Sequence, residues 1–594
     1  MKKLLLILFI TSFNLVNSQN VQLAYDYYRK GEFQKAASIY EQLYIKNNNN
    51  RTYFKYLLHS YQELEEFNKA ELLIEKQQQR FKNQSYLLVE QGYNYQLQNF
   101  KEKATPLYEK AIKTIEKKPS AAYTIGRSFQ QNHLLDYALE TYKKAIKLKP
   151  KLNFNIYIAN IYGEKGEVKN MFDAFLDMTS TNPRNISTVK RYISKFITDD
   201  NQNENNILFR KLVLKRSQNN PNDSWNELLS WLFTLQKDYK KALIQEKAIY
   251  KRNASNLENI FNLADISFKD RHHQTTKDAY SFIIEYASNL EDVLEAENKL
   301  LLVNTFTAKT KDDYDKIEQK YKQILSDFGT GSNTVNTQIN YASFLVFTKN
   351  KPEEAIIILN QAKKVAKKYQ QGNIKIQLAD ILVFTNKFNQ ALITYTQVQT
   401  DLRGSDIAQT ARLKVAKTSY YKGDFDWAKT QLKVLKSATS KLISNDALKL
   451  NLLIGDNIAE DTIRTALKKY AKADLLAYQN KTQQAIDTLN IVLEKFKGHA
   501  IEDEALFFQA KLFLKQNKFE FAENNYNKII QLKKDGILAD DAYYKLGELY
   551  SNELNDIEKA KEMYEKIIFD YANSIFLVDA RKKYRKLRGD IIDE

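Results

Sequence analysis

The side chains best able to bind a metal or move a proton near neutral pH are five histidines: His59, His133, His272, His273 and His499. A helical zinc site needs two of them four residues apart with a glutamate between, so that both imidazoles leave one helix face. No pair has that spacing. His272 and His273 are neighbours, which on a helix point in different directions, and they follow Asp270-Arg271, where a turn is expected. Gly329-Thr330-Gly331-Ser332-Asn333 has glycines like a phosphate loop but no lysine, and it lacks the Gly-x-Ser-x-Gly spacing of a nucleophile elbow. Cysteine is absent, which removes thiol nucleophiles, thiolate metal ligands and disulfides together. Paired carboxylates acting on a glycan stay open, because Asp and Glu number 72. The reading is therefore no catalytic residue, no metal and no cofactor, with a carbohydrate- or peptidoglycan-associated binding protein or enzyme as the alternative to a pure scaffold.

The elements that would position any site are helices. Hydrophobic residues make up 43% of the chain, against only 15 Gly and 6 Pro in 594 residues, so core material is ample and breakers are few. A small residue recurs with a large apolar residue three before and four after it, as in Phe33/Ala36/Tyr40, Phe388/Ala391/Tyr395 and Phe519/Ala522/Tyr526. The anchors Ala36, Ala70, Ala104, Ala138 and Met171 are 34, 34, 34 and 33 apart. They resume at Ala242, Ala279, Ile317, Ala355, Ala391 and Ala428, and again at Ala485, Ala522 and Ala560. A turn such as Gly31-Glu32-Phe33 or Gly423-Asp424-Phe425 precedes each amphipathic stretch. The small anchor lets two antiparallel helices approach, and the aromatics fill the space between them. One hairpin cannot bury its own apolar face, so stacking is required.

At this point the chain resembles the tetratricopeptide repeat family. In the fourth unit Gly126, Phe129, Ala138, Tyr142, Ala145 and Pro150 fall on its small, aromatic, Ala, aromatic, Ala and Pro positions. The resemblance implies an all-α fold, a right-handed α-solenoid of stacked helix-turn-helix repeats with a C-terminal capping helix. The organisation expected is a signal peptide over 1–18, an N-terminal array over 19–183 and a degenerate helical unit over 184–221. A middle array over 222–452, a loop over 453–461, a C-terminal array over 462–575, and a capping helix and tail over 576–594 follow. Residues Ile537 to Ala542 and Asp570 to Ser574 resemble repeats of bacterial envelope-assembly proteins, namely the tetratricopeptide lipoprotein of the β-barrel assembly machinery and the periplasmic partner of the Tol system.

Residues 1–18 read as a cleaved secretory signal: Lys2 and Lys3, then an apolar run from Leu4 to Ile10, then small Ser18 before Gln19. That run is too short to span a bilayer, and no later segment is apolar enough to do so. A cysteine for lipid attachment is missing, so a periplasmic or secreted mature protein that is not a lipoprotein is expected. Losing Lys2 and Lys3 takes the formal charge from +18 to +16, a balance that favours acidic partners. Export argues against nucleic acid. The basic run Arg581, Lys582, Lys583, Arg585, Lys586 and Arg588 suggests attachment to an acidic envelope surface. The partners expected are other proteins or peptide segments.

The resemblance also implies where such a segment would lie: one, four and five places after the small position of each first helix, facing inward. This gives Tyr25, Tyr28, Arg29, His59, Gln62, Arg127, Gln130 and Asn160, then Asp380 with Phe384, Lys417 with Tyr420 and Tyr421, and Asp474 with Tyr478. Tyrosine and arginine combine large rigid area with a polar handle, which suits peptide binding.

Overall fold

The computed structural model describes residues 20–589 apart from 82, 255, 436, 437, 439, 459–463 and 535. The expected signal over 1–18 and the last five residues of the tail lie outside them. Among the described residues every regular element is a helix. Contacts divide the chain into two compact units, with the boundary between Leu232 and Phe233.

In the first unit antiparallel pairs follow one another: a helix over 20–29 with Phe33–Lys46, Arg51–Glu63 with Phe67–Arg80, and Tyr86–Leu97 with Lys101–Lys113. Ala122–Gln131 with Leu135–Leu148 and Asn155–Glu164 with Val168–Thr181 complete the series. The turn inside each pair places one residue in the left-handed region, at Gly31, Glu65, Asn99, His133 and Gly166. This position repeats with the anchors, and it explains why Gly and Asn recur there. Ala36, Ala70, Ala104 and Ala138 are buried at the pair crossings. A Cβ built on Gly126 would stand 2.5 Å from the ring of Tyr142, and one on Gly92 the same distance from Tyr108. The aromatic residue of each of these second helices thus lies on the glycine of its first helix. Residues 184–221 hold the helices Ile186–Ile193 and Glu204–Asn219, the second tied back by Arg216 to Asp173 at 3.0 Å and Asp177 at 2.6 Å.

The second unit repeats the arrangement with Glu258–Lys269/His273–Tyr286, Val335–Phe347/Pro352–Val365, Lys368–Phe384/Phe388–Asp401 and Asp406–Lys422/Phe425–Val434. The first helix Leu290–Thr307 and its follower Lys311–Phe328 are longer. Further on come Thr465–Tyr478/Thr482–Lys495, Ile501–Lys515/Phe519–Leu532 and Ala539–Asn552/Ile557–Asp570. The loop expected over 453–461 is corrected in its first part: Lys441–Asp456 is one helix, and only 459–463 fall outside the described residues. Ala447 and Ile454 of this helix are buried, so an apolar face carries it through Gly455. The closing helix Leu577–Arg588 seats Phe576 on Tyr544, stacked with centroids 4.3 Å apart.

Candidate functional site

The first unit carries a groove of about 400 Å³ lined from three first helices, by Arg51, Lys55 and Tyr56, then Tyr86 and Glu90, then Tyr123 and Arg127. Glu90 lies at its base. Ser128 donates to one carboxylate oxygen at 2.5 Å and the Asn132 amide to the other at 3.3 Å. Burial raises the Glu90 pKa, opposed by those two hydrogen bonds and by the charge of Lys55. Burial also lowers that of Lys55, with Glu90 acting to raise it and Arg127 to lower it. Arg127 donates to the hydroxyl of Tyr123 at 2.9 Å; both are exposed. Three cations and one carboxylate among tyrosine rings can receive the carboxylates, ammonium groups and backbone of a peptide segment.

Beside it is an aromatic cluster. Tyr56 packs against Tyr25 at 5.5 Å and Tyr28 at 4.8 Å between centroids. The Tyr28 hydroxyl and His59 Nδ1 are 3.0 Å apart. Burial pushes the Tyr28 hydroxyl up to about 12, helped by Tyr56, Glu63 and Tyr25. His59 is pushed down by burial, which outweighs Glu63; the ring is therefore uncharged at neutral pH and serves as a hydrogen-bonding partner.

The structure thus brings Tyr25, Tyr28 and His59 together, and places Arg127 on the groove with Glu90. Arg29 is exposed and Asn160 half-buried. Gln62 and Gln130 are corrections. Gln62 is 5% exposed, within the packing, and Gln130 accepts the hydroxyl of buried Tyr142 at 3.1 Å. Lys55, Tyr56, Tyr86, Glu90 and Tyr123 were missed. Lys55, Tyr56 and Tyr123 sit one turn before His59 and Arg127 on the same helix face, since that face repeats every three to four residues, whereas Tyr86 and Glu90 lie on Tyr86–Leu97, a first helix on which no position was expected. That periodicity was the signal available.

The later positions are corrected as a group. Phe384, Tyr420, Tyr421 and Asp380 are buried, and Tyr478 and Asp474 partly so. Asp380 receives Tyr395 and, at 2.7 and 2.8 Å, Lys414. The Tyr478 ring lies 5.3 Å from Phe347, 6.1 Å from Tyr421 and 6.4 Å from Phe384. Gln479 donates to the Phe384 carbonyl at 2.8 Å, and Asn480 to that of Phe347. With Lys441–Asp456 interposed, the end of Thr465–Tyr478 packs onto the inward face of the preceding repeats and closes it. Burial raises Asp474, against Lys417 and the Tyr421 hydrogen bond. Lys417 itself stays exposed. Among the described residues no group of three or more His, Asp or Glu could hold a metal ion.

Antiparallel helix pairs with a small residue at most crossings, a left-handed turn and stacked neighbours define a tetratricopeptide-type α-solenoid. Tetratricopeptide repeat models match residues 470–537 and 540–568. A search of curated proteins matches nothing. Among solved structures, that of Naa15/Naa10 bound to HypK-THB is similar at 10% identity, with 96% of each chain covered and a TM-score of 0.30. The APC/C hetero-tetramer Cut9-Hcn1 is similar at 15% identity, covering 97% of this chain and 98% of that one, with a TM-score of 0.23.

Proposed function

We propose that this chain is a non-catalytic scaffold that holds other proteins in the bacterial periplasm, serving envelope assembly, secretion or outer-membrane protein handling. The observation that carries the binding role is the N-terminal groove, where Lys55, Glu90 and Arg127 meet Tyr86 and Tyr123. Tetratricopeptide repeats in the chain favour protein partners. Export rests on residues 1–18 as a signal, and no helix among the described residues is long and apolar enough to cross a membrane. Contact with an acidic surface rests on the closing helix. Lys583 is turned inward, to Tyr544 at 2.7 Å and Glu548 at 3.0 Å, while Arg581 and Lys586 are exposed.

Crosslinking in intact cells followed by capture of the full chain tests this reading. Lys55→Glu places a second carboxylate beside Glu90 and should deplete the proteins recovered with the wild type. The same measurement reads the mature N-terminus by mass spectrometry, expected near Gln19. Unchanged partners for Lys55→Glu would sink the groove, and an intact Met1 on the envelope protein would sink cleaved export.

A further inference from the structure

The second unit holds a larger groove of different chemistry, about 760 Å³, across the first helices Leu290–Thr307, Val335–Phe347 and Lys368–Phe384. We propose that it is a second binding site, one that takes an extended polypeptide by its backbone amides.

Three observations carry this. The first is register. Asn298, Asn336 and Asn373 line the groove at separations of 38 and 37, the spacing of the repeats themselves, so each helix offers an asparagine at one equivalent position. Asn340 and Gln377, one turn on from Asn336 and Asn373, form a second row. The second is availability. Asn336, Asn340 and Asn373 are exposed and make no side-chain hydrogen bond within the described residues. Asn298 gives its amide to the Leu294 carbonyl at 2.7 Å and to Thr337 at 3.1 Å, leaving its buried oxygen without a partner. The buried Gln377 amide nitrogen has none either. The unmet acceptor of Asn298 and the unmet donor of Gln377, on the first and third helices of the groove, suit a peptide N–H and a peptide C=O at two separate places along a bound segment, and a buried polar atom left unpaired is costly. The third is the weakness of the local charge. The charged residues of the lining, Glu291, Glu295, Lys299 and Lys367, balance two against two, and Lys299 is already held by Asp265 at 2.7 Å and Glu295 at 3.4 Å, so the groove has no net charge with which to select a side chain of one sign. Leu294 and Ile376 are the buried apolar residues of its lining.

The dimensions agree with an extended chain. Packed helices stand about 10 Å apart and a strand advances about 3.3 Å per residue, so neighbouring asparagines would meet every third residue of the bound segment. This site shares no residue with the N-terminal groove.

The test uses the full chain and an array of random peptides of about twelve residues, long enough to cross all three helices. Against it stands the triple variant Asn336→Ala/Asn340→Ala/Asn373→Ala, whose thermal melt should match the wild type because all three side chains are exposed and unbonded. Peptides bound by the wild type should lose roughly tenfold or more in affinity for the triple variant, given the worth of several hydrogen bonds. N-methylating alternate backbone nitrogens of those peptides should cause a similar loss, while replacing their side chains by alanine should matter much less. Lys55→Glu should bind them as the wild type does, which separates this site from the groove of the proposed function. Three results overturn the proposal: no peptide distinguishing wild type from the triple variant, N-methylated peptides binding equally well, or retention of chitohexaose that depends on the asparagines, which would make the groove a glycan site.

Discussion

The N-terminal groove and the closed cluster of the second unit are built from the same materials and end differently. In one, first helices present Lys55, Glu90 and Tyr123; in the other, Lys414, Asp380 and Tyr421. Tyr123 is 38% exposed and Tyr421 9%. The residues do not decide this. In the first unit the anchors keep a period of 34 or 33 residues from Ala36 to Met171, so each pair continues the stack and its inward face stays uncovered. In the second unit Lys441–Asp456 interrupts the series, and the next first helix folds onto the inward positions behind it. A side chain of binding type at a binding position becomes core when the period that keeps its surroundings open is broken.

The strongest way to break this comparison is Tyr478→Ala. The substitution removes ring contacts to Phe347, Phe384 and Tyr421 and leaves a void where the covering helix meets the repeats. Loss of about 2–4 kcal/mol is expected, toward the low side of aromatic truncation in cores because Tyr478 is only partly buried. Urea denaturation reads it. A loss no greater than that of Tyr123→Ala would mean that the cover holds nothing together.

How far the chain could be read in advance follows the same divide. Helix pairs were legible because most crossings hold a small side chain, with Met171 and Ile317 the exceptions, so Ala391 or Gly126 announces itself, and the left-handed turn admits Gly or Asn with little strain. The groove was half legible: Tyr25, Tyr28, His59 and Arg127 follow from the inward positions, whereas Lys55 lies one turn before His59 on the same stripe and Glu90 stands on the third unit's first helix, where no position was expected. The burial of Phe384, Tyr420, Tyr421 and Tyr478 was not legible. It depends on Gln479 meeting Phe384 across 95 residues and Asn480 meeting Phe347 across 133, and no local pattern encodes such a meeting. Gly455-Asp456-Asn457 read as a loop because each residue disfavours helix, yet Ala447 and Ile454 bury a face and the helix ends only at Asp456.

A carboxylate on a first helix of the C-terminal repeats sharpens the comparison electrostatically. Asp541 is pushed up to about 6, first by burial and then by Asp540, with Lys511, Lys545 and Lys449 pulling the other way. Its folded value lies above its unfolded one, so the folded state binds the proton more tightly. The stability this contributes is whole below about pH 4 and is lost as pH rises toward 6. Asp541→Asn has no charge to desolvate. It should be the more stable form at pH 7 by about 1–2 kcal/mol after allowance for solvent screening, with the advantage shrinking toward pH 4. Paired urea titrations at the two pH values check the sign; an advantage that grew on acidification would show that the lysines, not burial, set the state of this group.

The smallest effect on stability should accompany the largest effect on binding, and Arg127→Ala with Tyr123→Ala is where the two separate. Their mutual hydrogen bond of 2.9 Å joins two exposed side chains, and exposed pairs of this kind contribute about 0–1 kcal/mol because water competes for both partners. Arg127 fills no crossing between helices, while Tyr123 sets its ring edge-on to Tyr157 of the next first helix, centroids 5.8 Å apart, a contact worth about 0.5–1.5 kcal/mol. The double variant should therefore lose about 1–2 kcal/mol at most, a few degrees of melting and less than Tyr478→Ala. It should nevertheless lose crosslinked partners, since it removes one of the three groove cations and one of its rings. Tyr478→Ala is expected to do the reverse on a protein that remains folded in mild conditions: weaken the second unit and leave the partners of the first-unit groove in place. A double variant that melts as early as Tyr478→Ala would show the groove residues to be part of the core. Full partner capture by the double variant would show that the open face, although open, is not the face that binds.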